Sequence, residues 1–422
     1  MGLNLNNKLN MVQRAASLLL LVVVVFVFEA VHATEITSRA FNVVDFGAVG
    51  DGKTDSTKAI MSAWTEACNS TEGRPRLLIP QGTFFVGPVT FKGPCKGPMV
   101  VQLQGVLKAS PNLADYDSDN WVVFKYIDGL VITGGGTFDG QGASAWPHNQ
   151  CPKSQKCKLL PTSVKLSFVT NATVKGIQSI NSKLFHMLIF GSKNINLHSL
   201  SIIAPGDSPN TDGIHISSSS DISIARSVIA TGDDCVSLGS GSVNLGSGSV
   251  NISISNVACG PGHGISIGSL GKYPGGADVS GVHVRNCTLT GTTSGVRIKT
   301  WQDSSVLKAR DFTFEDVVMK DVYNPIIIDQ HYCPYAKCNN KAPSRVQISD
   351  ISFRRIRGTS ASKVAVNLVC SESVPCKNIE LNDIDLTYNR VREDATETAT
   401  ATAICLNVNG ISSGMQNPPS CM

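Results

Sequence analysis

A short motif returns along the chain at intervals of two to four dozen residues, and few architectures can accommodate it. Its unit is Asn or Asp, then apolar-x-apolar. It occurs as Asn171-Ala-Thr-Val, Asn194-Ile-Asn-Leu, Asp221-Ile-Ser-Ile, Asn251-Ile-Ser-Ile and Asp278-Val-Ser-Gly-Val, and again as Asp311-Phe-Thr-Phe, Asp350-Ile-Ser-Phe and Asn378-Ile-Glu-Leu. Alternation of this kind is that of short strands, and Gly, Pro, Asn and Asp turns separate them. A propeller would need four strands per unit, and a leucine-rich repeat a fixed leucine frame. Two or three short strands per unit instead predict an all-β solenoid, a parallel β-helix. Asn or Asp suits the corner between turn and strand, because its side chain satisfies backbone groups and tolerates left-handed geometry.

The flanks of the repeat fit the same plan. Residues 40–55 form a strand and a glycine-rich turn without a GxGxxG or Walker pattern, so turn chemistry is expected there rather than a phosphate cradle. Asp55 reads as a helix N-cap, followed at helical spacing by Ala59, Ile60, Ala63, Trp64 and Ala67. One short helix in a strand-rich chain would plug an open solenoid end, where unpaired edges invite aggregation. Past residue 390 the repeat weakens, and Glu393 to Ala403 reads as an exposed loop or edge strand. One irregularity interrupts the middle: Leu238-Gly-Ser-Gly-Ser-Val-Asn244 is followed at once by an identical heptad, Leu245 to Asn251. It reads as a tandem duplication that enlarges one turn.

Charge and cysteine usage bound the partners and the compartment. The net charge is +4 over 422 residues with no basic block, so no nucleic-acid partner is expected. An acidic substrate would have to be held by local cations. Lys8 and Arg14 precede an apolar run, Ala15 to Phe28, and Val31-His32-Ala33 supplies small residues for cleavage. Residues 1–33 are therefore expected to be a signal peptide rather than a membrane anchor, leaving 34–422 as a single secreted domain. Thirteen cysteines suit an oxidising compartment. Six near pairs suggest bridges: Cys68 with Cys95, Cys151 with Cys157, Cys235 with Cys259, Cys333 with Cys338, Cys370 with Cys376 and Cys405 with Cys421. Spacing alone does not fix that connectivity. Cys287 is left over. No CxxC or HxxxH spacing suggests zinc, and sequons stand at Asn69, Asn171, Asn251 and Asn286.

Polar signatures cluster between Asn210 and Lys299. Aligned by their apolar pattern, Asp212-Gly-Ile-His-Ile matches Asp234-Cys-Val-Ser-Leu, His263-Gly-Ile-Ser-Ile and Ser294-Gly-Val-Arg-Ile. Asp212, Asp234 and His263 then fall in one column on successive coils about 4.8 Å apart, with Arg297 and Lys299 on the next. Carboxyls at that separation repel, raising one pKa and leaving another ionised, which is the condition for an acid and a base. Strict alternation would turn Asp212 and Asp234 inward and Asp233 outward. All three reach one cleft only if the chain bends just before each strand, as Gly213, Gly232 and Gly264 allow.

The four signatures, Asn-Thr-Asp-Gly at 210–213, Gly-Asp-Asp at 232–234, Gly-His-Gly at 262–264 and Arg-Ile-Lys at 297–299, resemble those of the polygalacturonases of glycoside hydrolase family 28, in the same order. The wider context is most similar to the plant pollen-type exopolygalacturonases. The resemblance extends from Val44-x-Asp-Phe-Gly-Ala through Asp329-Gln330-His331-Tyr332-Cys333. It implies a right-handed parallel β-helix that hydrolyses α-1,4-galacturonan with inversion, without cofactor or metal. It further implies exo action from the non-reducing end, as a monomer secreted to the cell wall, with endo action as the alternative. By motif, Asp234 would protonate the leaving oxygen, while Asp212 and Asp233 would hold and deprotonate water. His263 would tune the acid, Arg297 and Lys299 would bind galacturonate carboxylates, Asn210 would position the site and Tyr332 would contact sugar. Two other readings remain at this point: a pectate lyase, which would want calcium and an arginine base, and a wall-binding β-helix without activity.

Overall fold

The computed structural model describes residues 39–151, 157–242, 248–335, 338, 342–389 and 400–422. The expected signal peptide at 1–33, residues 243–247 of the duplicated heptads and most of the Thr/Ala-rich stretch lie outside these. Among the described residues the chain winds into a right-handed parallel β-helix of two long sheets, one of 20 strands and one of 11. The 11-stranded sheet is the one that matters for function. Its strands follow chain order without a crossover: β1 (Val89–Lys92), β2 (Asn120–Lys125), β3 (Thr162–Ser167), β4 (Met187–Phe190), β5 (Ile214–Ser217), β6 (Val236–Leu238), β7 (Ile265–Leu270), β8 (Ser294–Trp301), β9 (Asn324–Tyr332), β10 (Val364–Val369) and β11 (Thr402–Leu406). Each coil thus adds one strand beside the last.

Aliphatic stacking fixes the register. Ile214, Val236, Ile265, Val296, Ile326 and Val366 pair in one inward column, and Ile216, Leu238, Ile267, Ile298, Ile328 and Leu368 in the next. All are buried. From the larger sheet, Ile195, Ile222, Ile252, Val282, Phe312, Ile351 and Ile379 meet them as a third column. A one-residue slip would turn every one of these side chains to solvent, so the register is strongly specified.

The repeating Asn and Asp residues are the corners. Asn171, Asn194, Asp221, Asn251, Asp311, Asp350 and Asn378 share a register position, and each adopts the left-handed conformation, with φ between 53° and 62°. Their side chains form ladders: Asn194 Nδ2 donates to Asn171 Oδ1 at 2.7 Å, and Asn251 Nδ2 to Asp221 Oδ1 at 2.6 Å. Asp278 does not belong to this column. Gly281 stands there instead, at φ +66°, three residues on. A second left-handed corner, which the repeat does not mark, runs through Ser199, Arg226, Asn256, Asn286, Asp316, Arg355 and Asp383. It folds the 20-stranded sheet into two faces, which gives each regular coil three short strands.

At the N-terminal end the helix α1 (Thr57–Asn69) buries Ile60, Ala63, Trp64, Ala67 and Cys68. Trp64 lies 4.9 Å from the Phe91 ring of β1 and 6.2 Å from Phe124 of β2. Ser56, not Asp55, is the boundary residue, but the Asp55 carboxylate does the capping: its Oδ1 accepts from Thr57 N at 2.9 Å.

The six near pairs of cysteines all form disulfides, with the connectivity that their proximity suggested. Cys68–Cys95 ties the last turn of α1 to the segment after β1, and Cys235–Cys259 crosses beneath the start of β6. Cys151–Cys157, Cys333–Cys338 and Cys370–Cys376 each close a short loop between strands. Cys405–Cys421 holds the C-terminal tail against β11. Cys287 is buried and unpaired, and burial pushes its thiol up to about 11. Asn286, beside it, is exposed on the corner.

Because the inward columns carry the fold, Ile254→Ala, at a fully buried position, is expected to cost about 2–5 kcal/mol. Asp311→Val, at a left-handed corner, is expected to cost about 1–2 kcal/mol by backbone strain alone. Equilibrium denaturant unfolding of the two variants, provided each remains two-state, measures both.

Candidate active site

The polar signatures sit just ahead of β5, β6 and β7. Asp212, Asp234 and His263 each lie two residues before the paired column Ile214, Val236, Ile265, so the three do share one place on successive coils. The parity objection is resolved by bends. None of the three lies within a strand, and the carboxyls swing round to the outward face, where they meet the column His215, Ser237, Ser266, Arg297. Glycine is needed at these bends. A Cβ on Gly213 would stand 2.4 Å from Ile229 Cγ2 and 2.5 Å from Cys235 O. Gly264 adopts φ +85°, and its Cβ would stand 2.1 Å from Ser294 O. The disulfide Cys235–Cys259 anchors the bend next to Asp234.

Asp234 is clamped. Arg297 Nη2 donates to its Oδ1 at 2.7 Å, Lys299 Nζ to its Oδ2 at 2.8 Å, and Ser266 Oγ to Oδ1 at 2.7 Å. Arg297 Nε also donates to Ser266 Oγ at 2.9 Å, which locks the guanidinium in place. Burial alone would push the Asp234 carboxyl up, but Lys299, then Arg297, then His263 overcome it and hold the group well below the usual carboxylate range. A carboxylate bound this way stays ionised. A carboxylate held by two cations is poorly suited to be the proton donor that the resemblance implied for Asp234.

Asp212 is driven the other way. Its burial, followed by the charges of Asp233 and Asp234, raises it well above the usual range, against one opposing hydrogen bond from Ser237 Oγ at 2.6 Å. That hydroxyl is itself engaged by His215 Nδ1 at 2.7 Å. When Ser237 donates to Asp212, the imidazole completes the chain by donating to Ser237 from Nδ1. Burial lowers His215 to about 4, so it is neutral, and Phe185 stacks on its ring at 4.8 Å.

Asp233 is the acid that faces the cleft, with its side chain 16% exposed against 2% for Asp234. Its Oδ1 accepts from Asp234 N at 2.8 Å and faces His263 Nδ1 at 2.9 Å, and Asn210 Nδ2 reaches its Oδ2 at 3.4 Å. Burial lowers the His263 pKa, but the hydrogen bond and charge of Asp233, with Asp234 behind, more than reverse this and favour the imidazolium. Asn149 Nδ2 in turn donates to Asn210 Oδ1 at 3.1 Å. Lys299 Nζ stands 5.3 Å above the Tyr332 ring. The eight residues singled out in the sequence thus converge on one cleft. Asp233, Asp234 and His263 present donor atoms within 4.8 Å of one another, a spacing that a metal ion could use. Arg297 and Lys299 already bring positive charge to that point, which disfavours a further cation.

The residues missed from sequence are Ser237, Ser266, His215 and Asn149. The first three occupy the place of Arg297 in the aligned pentapeptides, so outward parity alone pointed at them. Asn149 carried no signal, since it reaches Asn210 across 61 residues of sequence.

Known proteins match this chain over most of its length. The family model for Glycosyl hydrolases family 28 matches residues 68–413. An exopolygalacturonase of Platanus acerifolia is 45% identical over 383 residues, covering 90% of this chain and 97% of that protein. An exopolygalacturonase of Zea mays is 44% identical over 384 residues, covering 90% of each. In fold, the chain is similar to the crystal structure of a hyperthermoactive exopolygalacturonase from Thermotoga maritima, with a TM-score of 0.72 and 23% identity over 84% of this chain and 88% of that one.

The charge arrangement makes a direct prediction. In carbon-13 NMR titrations the Asp234 carboxyl is expected to remain ionised below the ordinary carboxylate range. Lys299→Met should move its titration upward by about 1–3 pH units. An unmoved Asp234 titration would mean that the clamp does not set its charge.

Proposed function

The chain belongs to glycosyl hydrolases family 28, and from that premise we propose that it hydrolyses α-1,4-linked polygalacturonate from a chain end with inversion at the anomeric carbon. The observation that carries this reading is the set of three carboxyls and two cations on successive coils, in which Asp234 is held ionised, Asp212 is crowded into keeping a proton and Asp233 faces the cleft. A lyase reading falls with the family assignment, since the family hydrolyses. The intact acid and cation set argues against a binding protein without activity.

The geometry supports one assignment of roles. Asp212 is crowded into keeping its proton but is buried, whereas Asp233 is the acid exposed to the cleft, beside the His263 ring. We assign Asp233 as the general acid that protonates the glycosidic oxygen as the bond to C1 breaks. Water attacks C1 from the opposite face and gives its proton to the Asp234 carboxylate. Asp212 helps hold that water, oriented by the Ser237 and His215 pair. A galacturonate carboxylate arriving at Arg297 and Lys299 would share their grip on Asp234, so binding raises the basicity of the group that must accept a proton. The two fixed cations fit a polymer that carries one carboxylate per sugar. The nearest carboxyl oxygens of Asp233 and Asp234 lie within 4.8 Å of each other, closer than the roughly 6.5–9.5 Å usual for an inverting acid and base, so the stereochemical outcome is to be measured directly.

Exo action is supported by the names of the relatives and by one further feature. The segment Gly142–Asn149, two short 3-10 turns, leans on the catalytic coil: Trp146 Nε1 donates to Ser182 O at 3.0 Å, and Asn149 to Asn210. It packs on coils that precede the one bearing Arg297 and Lys299, as a segment bounding one end of the cleft would. The six disulfides support a location outside the cell, in the wall where the substrate lies.

Two measurements test this reading. Proton NMR during digestion of polygalacturonate is expected to show monomeric galacturonate from the outset, with the β-anomer first; an early ladder of oligomers would mean endo action, and α-anomer first would mean retention. Against 4-nitrophenyl α-galacturonide, whose leaving group needs no proton, Asp233→Asn should keep far more of its activity than on polymer, where a loss of about 10²–10⁴-fold is expected. Asp234→Asn should fail on both. The reverse pattern would exchange their roles.

A further inference from the structure

Past β7 the chain turns through Gly271 into a loop that carries Lys272 and Tyr273. The Lys272 ammonium stands 5.1 Å from the Trp301 ring, 5.3 Å from Tyr273 and 5.8 Å from Tyr335. Among the described residues no carboxylate lies within ion-pairing distance of it. Arg297 and Lys299 are both committed to Asp234. Unlike Arg297 and Lys299, Lys272 has no acid of the described residues balancing its charge.

This box is continuous with the catalytic site. Trp301 is two residues beyond Lys299 and pairs in register with Tyr332. The Trp301 and Tyr332 rings meet edge to face at 5.5 Å, and Lys299 stands over Tyr332. Rings therefore form an unbroken wall from the catalytic lysine to Lys272. The box is also held from several directions. Tyr335 lies in the loop closed by Cys333–Cys338, Ser305 Oγ donates to Tyr273 O at 3.2 Å, and Gly276–Ala277 on the Lys272 loop pairs antiparallel with Gly241–Ser242. Tyr273 nevertheless remains 68% exposed, an unusual amount of aromatic surface to leave in water.

We propose that Lys272, with Trp301, Tyr273 and Tyr335, is a further binding site for one galacturonate residue of the polymer, beyond the sugar that meets Arg297 and Lys299. The ammonium takes the uronate carboxylate, and an aromatic face takes the apolar C–H face of the sugar ring. A neutral hexose lacks the first contact, so the site selects for free acid over methyl ester. This assignment rests on the polygalacturonan reading above.

Titration calorimetry with trigalacturonate on the full folded chain, with Asp233→Asn to prevent turnover, tests the site separately from catalysis. Adding Lys272→Met should weaken binding about tenfold, whereas Lys272→Arg should restore most of it. The fully methyl-esterified trimer should bind both proteins alike. Hydrolysis of 4-nitrophenyl α-galacturonide by Lys272→Met should match the parent, and its KM on trigalacturonate should rise with kcat unchanged. Equal trigalacturonate affinity with and without Lys272, or the same loss for acid and ester, would overturn the site. Lys272-dependent binding by a parent that hydrolyses no galacturonan would leave the site standing and remove the hydrolase reading instead.

Discussion

Everything functional here depends on the in-register stacking of parallel coils. The inward aliphatic columns leave no freedom to slip, because a shift of one residue would expose a whole column. That constraint is what brings Asp212, Asp234 and His263, spread over 52 positions of sequence, into one line. A parallel strand pair repeats about every 4.8 Å, so acids placed this way are held closer than like charges prefer. The solenoid makes that crowding tolerable by supplying Arg297 and Lys299 from the coil after His263, three and five positions further along the strand.

The crowding acts on stability with opposite signs. Asp234 is depressed in the folded state, so it stabilises above its unfolded pKa, and that contribution is lost as pH falls toward its folded value. Asp212 is raised, so its neutral form stabilises at low pH, and the contribution is lost as pH rises from the unfolded to the folded pKa. At neutral pH Asp234 therefore supports the fold, and Asp212 does not. The cost is distributed over buried neighbours: Ser237 and Ser266 each donate to one acid, and His215 and Arg297 brace those hydroxyls. Such support is what fixes a carboxyl in one orientation while its charge remains available for chemistry.

How much of this was legible in the sequence follows from which residues have a periodic neighbour. The first corner was legible because Asn and Asp announce left-handed backbone. The second was only partly marked, since Asn256, Asn286, Asp316 and Asp383 are interspersed there with Ser199, Arg226 and Arg355, whose residue types do not signal that conformation. Asp278 was drawn into the repeat by its letter, whereas Gly281 meets the backbone requirement. In the site, alignment placed the acids correctly, but protonation depends on which oxygen each cation reaches. That is set by the Arg297 and Lys299 side chains across a coil, and no spacing encodes it. Asn149 arrives from a turn outside the repeat and was invisible for the same reason.

The duplicated heptad shows where such a fold can change without losing its register. Its first copy begins at Leu238, pinned between Ile216 and Ile267 in the core, and its second ends with Val250 and Asn251, pinned against Ser220 and Asp221. Extra length between two pinned ends costs only loop entropy, about 0.6 kcal/mol for each doubling. The duplication therefore leaves the catalytic column untouched. It does not leave the cleft untouched, because Gly241–Ser242 of the first copy pairs with Gly276–Ala277, on the loop that carries Lys272. A change confined to one turn is thereby transmitted to the wall of the substrate path, while the ladder that aligns the acids stays as it was. The same separation holds for the fold generally: inward columns set the positions of reacting groups, and the turns, free to lengthen, decide what reaches them.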